Sequence, residues 1–224
     1  FLDFLFPPRV DELALRDVSL DDFLALVAPR LSPETRPGTA TLLPFNDSRV
    51  RAAIHEAKYH GSERAFSLLS SSLAEYLRDA DDVPKTRFDL KSESSRSNLV
   101  LVPVPLGKER RKERGFNQVE EVVRRALHIL GEEGANSFIL ESDLLIRTRE
   151  TASQVSLLRE KREENMHGAF ATTLKLRGTS SAEISKHTYI VVDDVLTTGA
   201  TLQAAIDALK EAGALHIIPL ALAH

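Results

Sequence analysis

The sequence predicts an α/β protein: a central, mainly parallel sheet flanked by helices, with an N-terminal accessory arm. Three observations carry this reading. Short runs rich in β-branched residues, Leu99–Val102, Tyr189–Val192 and His216–Leu222, have the texture of strands buried on both faces. Two helical stripes separate them: Phe116, Val119, Val123, Ala126, Leu127 and Leu130, then Leu202, Ala205, Ile206 and Leu209. Strand and helix in alternation build parallel sheets, because each helix carries the chain back across a sheet face.

Each element has its own signal. Residues 1–45 are punctuated by Pro7, Pro8, Pro29, Pro33, Pro37 and Pro44, with one short helical pattern at Leu20, Leu24 and Val27. They are expected to form an arm, and residues 46–224 the main domain. From Ser48 the pattern turns helical, with Phe66, Leu69, Leu73, Tyr76 and Leu77 on one face. Asp79–Asn98 is polar and aperiodic, the pattern of a solvated loop. Leu99–Val102 runs into Pro103-Val104-Pro105, a strand ending in a stiff loop. The helix after it is expected to stop before Gly131. Phe138–Leu140 and Leu144–Ile146 read as short strands, Arg177–His187 as a second polar loop, and the last helix ends at Gly213.

Composition excludes several classes. The 224 residues carry 29 Lys+Arg against 33 Asp+Glu, a formal charge of −4, with 42% hydrophobic and 28% charged residues. That is an ordinary globular balance, and its mild acidity argues against nucleic-acid binding through bulk charge. No apolar run approaches the roughly 18–20 residues that cross a bilayer. With zero cysteines, disulfides and thiolate-ligated zinc or iron–sulfur sites are excluded. The seven histidines show no HExxH or HxxxH pair. His55, His60 and His167 are read as surface or structural groups, none having a carboxylate or cysteine at ligand spacing. The chain opens on Phe1, so residues upstream are expected, and FLDFLF has neither the basic lead nor the cleavage site of a secretory signal. A cytoplasmic enzyme or regulator, with no membrane partner, is expected.

The most informative segment is VVDDVLTTGATLQAAIDAL, Val191–Leu209. An apolar strand ends in Asp193 and Asp194, a loop of Thr197, Thr198, Gly199, Ala200 and Thr201 follows, and a helix begins. In open α/β sheets, ligands sit beyond the carboxyl ends of the strands. Amide N–H groups at a helix N-terminus, with threonine hydroxyls beside them, suit a phosphate, and Gly199 admits close backbone approach. Paired carboxylates can accept from vicinal hydroxyls or hold a hydrated Mg²⁺ nearby. Phosphate and diol a few ångströms apart describe a ribose 5-phosphate. The bland alternative is a strand end and an ordinary helix cap. A receiver-domain reading fails on length, since only 30 residues follow Asp194.

This segment resembles the PRPP (phosphoribosyl pyrophosphate) motif of the type I phosphoribosyltransferases. LVPVPLGKERRKERGFNQVEEVVRRAL (101–127), RTRETASQVSLLREKREENMHGAF (147–170), AIHEAKYHG (53–61), the closing PLALAH and the opening FLDFLFPPR look like the competence protein F (ComF) family. The resemblance implies a type I phosphoribosyltransferase fold in which Asp193 and Asp194 hold the ribose hydroxyls of PRPP and Thr197–Thr201 wrap its 5-phosphate. It further implies that the loop Pro103, Val104, Pro105 and Leu106 meets the pyrophosphate. Mg²⁺ would then arrive with the substrate rather than on direct protein ligands. The run Lys108–Arg114, five basic and two acidic residues, fits a solvated helix start or, through Arg114, a phosphate contact. Asn117 and Gln118 could reach the site. Arg147–Arg162 resembles the mobile lid of the amidophosphoribosyltransferase branch, with Arg147, Thr148, Thr151 and Gln154 matching its pattern; a surface helix with a basic face is the alternative.

Three departures qualify the resemblance. Family members commonly carry a cysteine zinc ribbon after an FPP-like opening, but here Val10-Asp11-Glu12-Leu13 stands where the first CxxC would fall, so no zinc is expected. Thr197 stands where purine-salvage members place an acid, so their base chemistry is unsupported and no general base is assigned. The inserts 79–98 and 177–187 exceed a minimal core. Two functions stay open: a Mg²⁺-dependent phosphoribosyltransferase with an unidentified acceptor, and a non-catalytic PRPP-binding module acting in DNA uptake or recombination through protein or single-stranded DNA partners. The resemblance also implies a homodimer in some members.

Overall fold

The computed structural model describes residues 9–32, 37–82, 99–134, 137–149, 166, 168–173 and 178–224. A six-stranded sheet organises them. Its strands are β1 (Arg30–Ser32), β2 (Thr39–Leu43), β3 (Leu99–Pro103), β4 (Phe138–Leu140), β7 (Thr188–Val195) and β8 (His216–Ala223), in the order β1-β2-β8-β7-β3-β4. Every pairing is parallel except β1 with β2 at one edge. The remaining pair, β5 (Leu145–Arg147) and β6 (Phe170–Thr172), forms a separate antiparallel ribbon. The strand expected at Leu144–Ile146 is thus real but lies outside the main sheet.

The central strands show why parallel sheets read as continuous apolar runs. Side chains alternate between faces along a strand. In β3, Leu99 and Leu101 enter one core, while Val100 and Val102 enter the other. In β7, Ile190 and Val192 face the first core, and Tyr189 and Val191 the second. The first core packs beneath α1 (Val10–Arg16), α2 (Leu20–Leu24), α3 (Ser48–Tyr59), α4 (Glu63–Asp82) and α6 (Gln118–Glu132), where α5 is Lys108–Arg114. The second packs beneath α8 (Ala200–Glu211), with α7 the short Ser181–Ile184 turn.

Helix ends follow local chemistry. Asp47 caps α3 by accepting the Arg49 N–H at 2.8 Å, and Asn117 caps α6 by accepting the Val119 N–H at 3.1 Å. Helix α6 continues through Gly131, where the sequence suggests a stop, because the left-handed turn falls at Gly134, with φ 89°. Helix α4 extends to Asp82, into the stretch read as loop, and residues 83–98 lie outside the described residues. The second polar loop contains α7, capped by Ser180. Among the described residues, no helix is long and apolar enough to cross a membrane.

The N-terminal segment differs most from expectation. Rather than an arm set apart at residue 45, its described part belongs to the main body. Strand β2 pairs with β8, Phe45 N–H donates to the His224 carbonyl at 2.9 Å, and Leu15 and Phe23 are fully buried in the first core. The physical reason is edge closure: β8 would otherwise expose its hydrogen-bonding edge. Phe23→Ala is therefore expected to destabilise the whole domain by about 3–5 kcal/mol, as for a buried aromatic, in one cooperative urea transition. A cost under about 1 kcal/mol, or a separate early transition, would show the segment folding on its own.

Candidate functional site

A cleft of about 480 Å³ opens at the carboxyl ends of β3 and β7. Asp193 and Asp194 lie on its wall, as do Thr197, Gly199 and Thr201 from the turn into α8. Val104, Pro105 and Leu106 from the loop after β3 also line it, with Arg114 and Arg147. The structure thus brings these residues, singled out from the sequence, into one cleft together with Gln118. Pro103 ends β3 and Ala200 opens α8, and neither these two nor Thr198 and Thr148 are among the residues that line the cleft. Thr151 and Gln154 fall outside the described residues, as do most of the basic stretch 147–162 and His167.

The adjacent acids leave β7 on opposite faces, as strand alternation requires. Asp194 follows Val192 toward α3 and α6. There its Oδ2 accepts from Gln118 Nε2 at 2.6 Å and pairs with Lys58 Nζ at 2.9 Å. Its Oδ1 accepts the Val195 N–H at 2.6 Å. Asp193 follows Val191 toward α8, and its Oδ1 accepts the Asp194 N–H at 2.9 Å. The Asp193 carboxyl is pushed up to about 7 from 3.8, first by burial and then by the charge of Asp194; the Asp194 N–H, Lys58 and Arg147 partly offset this.

The turn is built for close approach. Gly199 precedes α8 with φ 81°, a left-handed conformation that disfavours any side chain, and its carbonyl accepts the Gln203 N–H at 2.8 Å. Thr198 Oγ1 accepts the Ala200 N–H at 3.4 Å. This places the N-terminus of a twelve-residue helix at the cleft. Across the cleft, the loop after β3 is fixed from two sides. Val104 N–H donates to the Val192 carbonyl at 2.9 Å, and the buried Asn117 donates from Nδ2 to the Val104 carbonyl at 3.0 Å. Asn117 therefore supports the loop from behind, and Gln118 reaches Asp194 directly.

Sequence reasoning missed the helix α3 contribution. Lys58 and Tyr59 line the cleft with Phe45, Arg110 and Glu113. The Arg114 guanidinium lies 4.9 Å from the centroid of the Tyr59 ring and donates from Nη1 to Gln118 Oε1 at 3.0 Å. On the far side, Arg147 lies over Phe170 at 5.4 Å. The signal for Lys58 and Tyr59 was the AKYHG end of the 53–61 stretch, which pattern alone does not connect to an acid pair whose Asp194 lies 136 residues beyond Lys58.

The histidines also need correction, since carboxylates do reach them. His55 Nδ1 is 2.8 Å from Asp11 Oδ2, and His60 Nε2 is 3.9 Å from Glu56 Oε1. The ligand atoms of His55, Glu56 and His60 lie within 4.8 Å of one another. The buried Glu56, however, already accepts from Arg9 at both oxygens, at 2.8 and 2.6 Å. That contact supplies its cation and holds its carboxyl below the usual range.

The raised Asp193 carboxyl sets a pH signature. Its protonated form is favoured by the fold, so its contribution is intact below the ordinary value of 3.8 and is lost as pH rises through about 7. Asp193→Asn removes that loss. Its Tm is expected to exceed that of the parent by at least about 3 °C at pH 8, with the gap closing toward pH 4. A gap independent of pH would show that Asp193 is not held protonated by its surroundings.

Comparison with known proteins fits this geometry. Residues 67–223, more than half of the chain, match the phosphoribosyl transferase domain. A stretch of 68 residues is 44% identical to the Bifunctional protein PyrR of Corynebacterium diphtheriae, covering 30% of this chain and 33% of that protein. The chain therefore spans about a third of the length of that relative. The mostly parallel sheet flanked by helices is consistent with the type I fold, and the chain belongs to the phosphoribosyl transferase domain family.

Proposed function

We propose that the cleft binds PRPP with Mg²⁺ and exchanges its pyrophosphate for an acceptor at the anomeric carbon, in a member of the branch resembling competence protein F. The observation that supports this is the placement of the acid pair, the Gly199 turn and the 104–106 loop around one cleft. The diol meets Asp193 and Asp194, and the 5-phosphate meets the amide groups of Thr197–Thr201. The pyrophosphate lies against Val104–Leu106, with Arg114 and Arg147 near enough to offset charge that develops as the C1–O bond lengthens. Asp193 Oδ2 accepts no hydrogen bond among the described residues, and such a hard oxygen donor suits Mg²⁺ or its water shell. The ion, when bound, would neutralise the leaving group.

The chain's own residues do three things in this scheme. They orient the sugar through its hydroxyls, exclude water behind the Val104–Leu106 loop, and set cationic groups beside the departing oxygen. The electron pair of the broken bond leaves with pyrophosphate, and the acceptor's lone pair forms the new bond to C1. With Thr197 following the acids, no side chain is assigned to move the acceptor's proton. The non-catalytic reading uses the same cleft, and turnover separates the two.

Saturating PRPP with Mg²⁺, at about 100-fold over Kd, should raise the Tm by about 5–10 °C. In the Asp193→Ala, Asp194→Ala double variant the shift should vanish. No shift in the parent, or an undiminished one in the double variant, rules out this site. Pyrophosphate release with a panel of amines and nucleobases then distinguishes an enzyme from a binding module.

A further inference from the structure

Lys58 lies upstream of the residues that match the family, yet it reaches the centre of the cleft. Its Nζ and Gln118 Nε2 converge on one oxygen, Asp194 Oδ2, at 2.9 and 2.6 Å. The other oxygen accepts the Val195 N–H at 2.6 Å. A carboxylate offers about four lone-pair positions, so three donors leave Asp194 one, on Oδ1. Gln118 cannot turn away easily, because Arg114 Nη1 holds its Oε1 at 3.0 Å. Arg114 in turn rests on Tyr59, the residue beside Lys58. The contacts close a ring through α3, α5, α6 and β7. Both members of the ion pair are largely buried, with side chains 21% and 14% exposed, so bulk solvent and salt screen it less than a surface pair.

This arrangement has a consequence for recognition. A lone aspartate at a cleft rim would rotate and offer its oxygens in several directions. Here the carboxylate plane is fixed before any ligand arrives, and fixed acceptors discriminate hydroxyls best because no reorganisation follows binding. Resting on the ribosyl-phosphate reading of the cleft, we propose that Lys58 is a positioning residue for the sugar diol: with Gln118 it pins Asp194 so that its remaining lone pair meets a ribose hydroxyl. The helix that precedes the matched domain thereby becomes part of the sugar specificity of the site.

The test uses the full chain and two sugar phosphates that differ only in the diol, ribose 5-phosphate and 2,3-dideoxyribose 5-phosphate. Calorimetry should find the parent preferring ribose 5-phosphate by at least about tenfold. In Lys58→Met the preference should fall to about twofold or less while the dideoxy sugar binds as before, and Lys58→Arg should restore most of it. Gln118→Met, which removes the second arm but no charge, should also lower the preference. A Lys58→Met protein that keeps the parent's preference overturns the proposal. So does one that weakens both sugars equally, which would mark Lys58 as a phosphate contact or a structural support. If Lys58→Met does not fold, Lys58→Arg and Gln118→Met decide it: an unchanged preference in Gln118→Met overturns the clamp. A parent that binds neither sugar removes the reading of the cleft itself, whereas a discriminating parent whose variants discriminate equally well removes only the role of Lys58.

Discussion

Two carboxylates on consecutive residues at the end of the innermost strand are the constraint that the rest of the site accommodates. Like charges so close cannot both be buried without compensation. Compensation comes from every side. Strand alternation separates them onto opposite faces, successive backbone N–H groups donate to each, and Lys58 and Gln118 converge on Asp194. Asp193, left without a cation in direct contact among the described residues, answers by holding its proton up to about pH 7. The sheet explains why such a pair can exist at all. Strands β3, β7 and β8 are covered on both faces, so polar groups are admitted only where the strands end.

The two faces then contribute differently. The α8 face supplies the turn, a helix N-terminus and a glycine that lets backbone approach a ligand. The α3 and α6 face supplies side chains, Lys58, Tyr59, Arg114 and Gln118, joined to one another before any ligand arrives. Sequence matching to the family begins at residue 67, inside α4, so part of that second wall comes from chain the family pattern does not cover. The integration of β2 into the sheet serves the same end. It anchors the segment that leads through Pro44 and the Asp47 cap into α3, and so fixes where Lys58 emerges.

How much of this was legible in the sequence depends on the range of the interaction. The strands β3, β7 and β8 and the helices α6 and α8 announce themselves through period and punctuation, because burial imposes those patterns residue by residue. The acid pair and the Thr-Gly turn were readable because every part of that motif lies within nine residues of chain. Lys58 was not, because its partner is Asp194 and only the sheet brings them together. The separation of β5 from the main sheet was equally hidden, since Leu145-Ile146-Arg147 has the same texture whichever strand it pairs with. The proline-rich opening misled for a related reason. Prolines mark where helices cannot run, yet Thr39–Leu43 between Pro37 and Pro44 is long enough for a sheet strand and holds no proline.

Charge balance makes the last connection between architecture and chemistry. Among the described residues one ammonium, Lys58, contacts the acid pair directly, Arg147 acts on Asp193 from further away, and Gln118 contributes a donor without a charge. Had position 118 carried a second cation, two positive charges would converge on Asp194, and a cation arriving beside it would meet added repulsion. With a glutamine there, Asp194 is held in place while the pair as a whole stays short of positive charge whenever Asp193 releases its proton. In the proposed scheme, a ligand carrying its own divalent ion would make up that deficit, while the groups assigned to the sugar stay where they are. On the proposed reading, the neutral donor at 118 is what lets a single site be rigid toward the ribose and still receptive to a metal–pyrophosphate.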